Sequence, residues 1–301
     1  MVLFFQAVVS GLTIGAIYAL VAVGYNVVYA STQVFNLAQG MLVMVGVMMT
    51  YEFREVMGWP TVGAIAGAVV VAGLINVAIE RVCVAPLERT HGGVTTHLAL
   101  PAFVTTLGAS LVIVDAYEII FGSQILPFHQ YFNAVAFNIG GHKGVHVGRQ
   151  QLFMVVAALV IAGAYHAFAK YTRWGLGLSA MAQNREGAAL RGVPVAGARI
   201  VAFLLAGVIS GLAGIAIAPV TFGDTTLGFN YALKGFVAMA IGGFGSTTGA
   251  LVGGAVLGLS EAMLTTYGND QYRIYASLML LIVVFTLRPR GILGRQTIRT
   301  V

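Results

Sequence analysis

Seven stretches of this chain, at about 3–28, 60–82, 98–121, 151–169, 200–218, 249–266 and 272–287, are apolar over roughly the length of a membrane-spanning helix. A helix rising 1.5 Å per residue needs about 20 apolar residues to cross a hydrocarbon core about 30 Å thick. Inside that core no water binds the backbone, so each segment must satisfy its own N–H and C=O groups. Long continuous runs do this as helices. The fold class expected is therefore an all-α polytopic membrane protein. Its 9% charged residues agree, against about 25% in a soluble domain. So do its 39 glycines, which let spans approach closely.

Two shorter runs, at about 37–51 and 232–246, contain glycine and fall short of the ~20 residues that a straight span needs. They are either tilted short spans or half-helices of a broken or re-entrant element. Of the 16 basic residues, nine lie in two places: Lys170, Arg173, Arg185, Arg191 and Arg199, and then Arg288, Arg290, Arg295 and Arg299. Basic residues mark cytoplasmic flanks. Placing both clusters inside puts 83–97 inside and 122–150 outside, together with "YEFREVMGW", where Glu52 and Glu55 outnumber Arg54. Eight to nine crossings are expected. Nine, with the N-terminus out and the C-terminus in, requires both short runs to cross.

The net charge of +6 is thus a topology signal at the flanks and not a nucleic-acid surface. With Cys83 alone, neither an intrachain disulfide nor a cysteine metal site is expected. The first run has no basic residue before Arg54 and is long for a cleavable signal, so it reads as the first span.

The short runs resemble each other: "FNLAQGMLVMVG" (35–46) and "FNYALKGFVAMAIGG" (229–243) align with one inserted residue. An internal repeat and convergent composition both explain this. Glycines four apart share a helix face. Gly245, Gly249 and Gly253 form one such stripe, with pairs at Gly11/Gly15, Gly63/Gly67, Gly207/Gly211 and Gly254/Gly258. Tight helix packing is their expected role.

No zinc motif, nucleophile elbow or phosphate loop is present. His91, His97, His129, His142, His146 and His166 lie mostly in loops, and the glycines of "GGHKGVH" argue against a metal pair at His142 and His146. Asp115 and Glu118 share a helix face near the outer end of their run, and Glu261 lies within a span, with Arg273 as the expected partner. Neutral polar residues suit a solute path better, because they bind without burying charge. The candidates are Asn36, Gln39, Thr105, Thr106 and Asn230. Helix capping and interhelical hydrogen bonding are the alternative roles.

The stretch "RWGLGLSAMAQNREGAALRGVPVAGAR" interrupts the apolar pattern. "SAMAQNREGAALRGV" predicts one short helix ending near Gly192, with Pro194 just after. Its few large apolar residues favour a protein groove over the membrane surface.

That stretch, continued through "IVAFLLAGVISGLAGI", resembles the cytoplasmic coupling loop of the branched-chain amino-acid permeases of bacterial ATP-binding-cassette importers. "GLTIGAIYALVAVGYNVVYASTQVFNLAQGMLVMVG", "VAPLERTHG", "VTTLGASLVIVDAYEIIFG" and "AIGGFGSTTGALVGGAVLGLSE" resemble the same family in the same order. The resemblance implies an importer permease fold in one transmembrane domain, 1–301, with a coupling segment at 171–199. It further implies a multi-pass subunit of the bacterial inner membrane, embedded in lipid. Its partners would be a second related permease (a heterodimer, with a homodimer as the alternative), two cytoplasmic ATPases and a periplasmic substrate-binding protein. Arg173, Ala182, Gln183, Asn184, Arg185, Glu186 and Gly192 are the implied ATPase-coupling residues. The chain would bind no cofactor and catalyse nothing; ATP and Mg would sit on the ATPases. The solute would be a branched-chain or related amino acid, with urea or a short amide as the alternative. An ATP-independent channel, and a membrane enzyme or scaffold, are the competing classes.

Overall fold

The structure, a computed structural model, describes residues 2–90, 99–122, 124–128, 131, 135–139, 145–221, 223–268, 273–288 and 291–294. His91, His97, His129, His142, Arg290, Arg295, Arg299 and all of 83–97 beyond Thr90 lie outside the described residues. Helix α1 (Val2–Thr32) is followed by a 3-10 turn (Leu37–Gly40) that runs into α2 (Met41–Tyr51) and a π turn (Glu52–Val56). Next come α3 (Thr61–Ile79), a π turn (Glu80–Val84), α4 (Ala85–Thr90) and α5 (Ala99–Phe121). Strands β1 (Val135–Ile139) and β2 (Val145–Gly148) pair antiparallel before α6 (Arg149–Tyr171). The rest is α7 (Arg173–Gln183), α8 (Arg185–Leu190), α9 (Val195–Thr221), α10 (Leu227–Gly242), α11 (Thr247–Tyr267) and α12 (Arg273–Leu287).

Among the described residues, six stretches are long and apolar enough to cross a membrane: Val2–Thr32, Thr61–Leu87, Leu100–Phe121, Arg149–Tyr171, Val195–Thr221 and Thr247–Tyr267. The short run at 37–51 gains length from its flanking turn and reaches Val56. The run at 232–246 is displaced toward the N-terminus, because Gly243 at φ 110° ends α10. The hairpin and the short helix α4 are absent from the sequence expectation.

Contacts fix the helix directions. Gly11 meets Gly258 and Gly15 meets Gly254, so α1 and α11 are antiparallel. Gly207 meets Asn76 and Gly211 meets Ala72, so α9 and α3 are antiparallel too. At one end of the bundle, Gln6 exchanges two hydrogen bonds with the His146 backbone, both 3.1 Å. Arg54 lies 5.7 Å and 5.2 Å from the Phe128 and Tyr131 ring centroids at that end, and Leu126 bridges to Gly223. Burial pushes the Tyr131 phenol above its ordinary pKa, with Arg54 opposing. At the opposite end, Asn26 binds the Gly245 N–H and the Ser246 carbonyl. There the tail returns, with Ile292 and Leu293 donating to Ile241 and Gly242. Among the described residues, nine helices thus alternate in direction, in the sense the charge pattern requires.

The arrangement repeats with opposite sense. Helices α1, α2, α3 and α5 find counterparts in α9, α10, α11 and α12. The α1–α11 contact mirrors α9–α3, and Gly40 packs on Ala232 where the two short runs meet. With this correspondence in hand, further sequence matches emerge. "VVSGL" (8–12) aligns with "VISGL" (208–212), and "TVGAIAG" (61–67) with "TTGALVG" (247–253). The chain therefore carries an inverted repeat, a common transporter plan.

Small residues bring its two halves together where α1 meets α11: an added Cβ at Gly15 lies 2.6 Å from the Gly254 carbonyl oxygen. Within the second half, Gly253 packs against the Ala238 carbonyl and Gly249 against Gly242, holding α11 on α10. Gly245 departs from the expected stripe. It precedes α11, has φ 75° and shapes the turn instead of a packing face. Helices α1 and α9 are central, 67% buried in their apolar windows, while α5 and α6 are peripheral at 17%.

Candidate functional site

The polar interruption folds as two helices where one was expected. Thr172 caps α7 by accepting the Gly175 N–H at 3.0 Å. Asn184 then leaves the helix, with φ −155° and ψ 107°, and its Oδ1 accepts the Gly187 N–H at 2.8 Å to start α8. An asparagine that reaches its own downstream backbone competes with helix continuation, which is why the break falls there. Gly192 at φ 85° ends α8, while Gly192 and Val193 donate back to Ala189 and Ala188. Such a left-handed stop favours glycine.

This knuckle has an inner and an outer side. Leu178, Met181 and Ala188 are buried against the spans, and Trp174 lies against Gly197 of α9. The outer side exposes Gln183, Asn184, Glu186, Ala189, Arg191 and Gly192, with Leu190 at 90%. Of the coupling candidates, Ala182 and Arg185 are half-buried and Arg173 is exposed. Beside the knuckle a cavity of about 430 Å³ opens between α1, α6, α7 and the 243–248 turn; its lining includes Val27, Tyr165, Lys170, Ala182 and Ser246.

Deeper in the bundle the neutral candidates separate. Asn36 accepts the Ala38 N–H at 3.2 Å and donates to Asn76 at 2.9 Å. Gln39 donates to the Ala206 carbonyl at 2.8 Å and to Ser210 at 2.7 Å. Thr106 binds the Phe35 carbonyl and accepts the Leu37 N–H, both 3.3 Å. These buried groups satisfy the backbone where α1 stops and the next helix begins. The structure thus brings Asn36, Gln39 and Thr106 together in capping and interhelical bonds. Thr105 is apart, bonded to the Cys83 and Ala102 carbonyls. Asn230 is exposed and bonds back to Thr226.

The inverted counterpart of this cluster is charged, and Lys234 was missed in the sequence. Its Nζ lies 2.9 Å from both Glu261 Oε2 and Tyr18 Oη. Tyr18 donates to Glu261 Oε2 at 2.8 Å, and Ser277 donates to Oε1 at 2.6 Å. The expected Glu261 partner, Arg273, has a side chain outside the described ones, and Lys234 occupies the described contact. A lysine within an apolar run was the available signal; adjacency along the chain pointed elsewhere. Asp115 and Glu118 are exposed on α5.

The chain matches, over residues 7–287, the family described as the permease component of the branched-chain amino acid transport system. It is 28% identical to the high-affinity branched-chain amino acid transport system permease protein LivH of Escherichia coli (strain K12), covering 99% of this chain and 98% of that one. The corresponding BraD protein of Pseudomonas aeruginosa is also 28% identical, with the same coverage. The L-arabinose transport system permease protein AraH of Escherichia coli is 27% identical over 70% of this chain and 65% of its own length.

Proposed function

Because the chain belongs to the family of branched-chain amino acid transport system permease components, we propose that it is a membrane-spanning subunit of an ATP-driven importer for branched-chain or related amino acids in the bacterial inner membrane. The knuckle formed by α7 and α8 carries this reading. It stands at the basic end of the bundle, exposes Gln183, Asn184, Glu186 and residues 189–192, and leads directly into α9, one of the two central helices.

On this reading, Ala182 to Gly192 seat in a groove of a cytoplasmic ATPase. Arg185 and Glu186 fix the register, and Arg173 supports the knuckle's base. ATP and Mg bind to two such ATPases, and the chain itself hydrolyses nothing. Nucleotide shifts the permease between outward- and inward-open states only through the different affinity of each state for the ATPase pair. A second, related permease chain completes the path, and a periplasmic binding protein delivers solute at the hairpin end. Asn36, Gln39 and Thr106 serve the path by holding the helix break.

Two variants test the docking surface, Leu190→Asp and the swap Arg185→Glu/Glu186→Arg. Each is expected to leave the permease folded, with an unchanged melting profile, and to weaken ATPase co-purification at least about tenfold, as an anchor lost from an interface does. Co-purification at wild-type levels with both variants would contradict docking at this knuckle.

A further inference from the structure

The knuckle is joined to α9 through the turn at Gly192 to Pro194, and α9 begins at once, with the Ala198 N–H bonded to the Pro194 carbonyl. Val193 packs toward Gly177 and Trp174 toward Gly197, so α7, α8 and the first turns of α9 form one packed unit. In this first part of α9 lies Arg199, 6% exposed, whose Nε donates to Glu80, a fully buried carboxylate in the π turn after α3. Arg81 approaches the other Glu80 oxygen at 3.7 Å.

The same face of α9 is then keyed at each level deeper in the bundle. Asn76 donates to the Phe203 carbonyl at 2.6 Å, and Gln39 to the Ala206 carbonyl and to Ser210. The ion pair is therefore the knuckle end of a ladder from the exposed surface to the helix break at 33–36. Stability alone does not account for it, because a buried pair is often no more stabilising than apolar residues of similar volume.

We infer that Glu80 and Arg199 are positioning residues for coupling, a strut through which movement of the knuckle and α9 is imposed on α3. The inference rests on the importer reading. With the strut intact, displacement of α9 carries the π turn and α3 with it. With it broken, the knuckle still docks and the ATPases still turn over, but α3 no longer follows.

The test uses the complete importer in proteoliposomes and reads solute moved per ATP hydrolysed. Glu80→Gln is expected to retain ATPase co-purification and hydrolysis while this ratio falls at least about tenfold, within the usual range of coupling energies. Arg199→Lys, which keeps the charge, is expected to stay nearer wild type. The double variant Glu80→Gln/Arg199→Gln leaves no unpaired charge in the interior, so it supplies a folded reference if Glu80→Gln does not assemble; its ratio is expected to fall equally. A ratio at the wild-type level in either neutral variant overturns the strut. If neither assembles, the pair is a folding element and the inference also fails. Wild type in the same vesicles must import only with ATP; its failure to do so counts against the importer reading itself.

Discussion

Lys234→Met is expected to destabilise the permease by about 3–5 kcal/mol, the usual cost of leaving one buried charge without its partner. Glu261 is 1% exposed, and its Oε2 accepts from both Lys234 and Tyr18. The variant removes the cation and keeps the carboxylate in place. The double variant Lys234→Met/Glu261→Gln removes both charges and is expected to recover most of the loss, because the pair, once desolvated, adds little net stability. The measurement is a detergent-solubilised unfolding midpoint for wild type, both single variants and the double. Single and double variants melting together would mean that the two charges are not coupled. The same cluster ties α1, α10, α11 and α12 together, so its loss loosens four helices at once.

Gly254→Leu is expected to cost more than about 3 kcal/mol, at the upper end of overpacking penalties. An added Cβ there lies 2.5 Å from the Ala19 nitrogen and 2.6 Å from the Gly15 carbonyl oxygen. Both obstacles are backbone, so no side-chain rotation relieves them and α1 must part from α11. Gly108→Leu is the control, since a Cβ there meets nothing within 4 Å. Folded yield after membrane extraction is expected to collapse for the first and hold for the second. Equal yields would contradict the α1–α11 packing described above.

The contrast between these two sites shows what the chain discloses before it folds. Spans were legible because apolar length and basic flanks act locally, through desolvation and the charge asymmetry of the membrane. Gly254 and Gly258 were legible as packing residues because four-residue spacing defines a helix face. Gly245 shares that spacing but precedes the helix, and a stripe does not reveal where its helix begins. The inverted repeat was visible only at its "FN" segments, since its other matches gain meaning once α1 is seen to correspond to α9. The same limit hid the polar clusters. Asn36 meets Asn76, and Lys234 meets Tyr18 and Glu261, across separations that only tertiary packing closes. The coupling stretch was legible in composition but not in detail. Asn184 looks like one more polar helix residue until its cap on Gly187 divides the segment in two.

The most direct test of the proposed function is uptake of radiolabelled leucine into proteoliposomes holding this chain with the proposed second permease, ATPases and binding protein. Accumulation is expected only with ATP and the ATPases together, and is expected to vanish with a non-hydrolysable nucleotide. Equal leucine entry with the ATPases omitted would contradict it and show a passive channel in place of a driven permease.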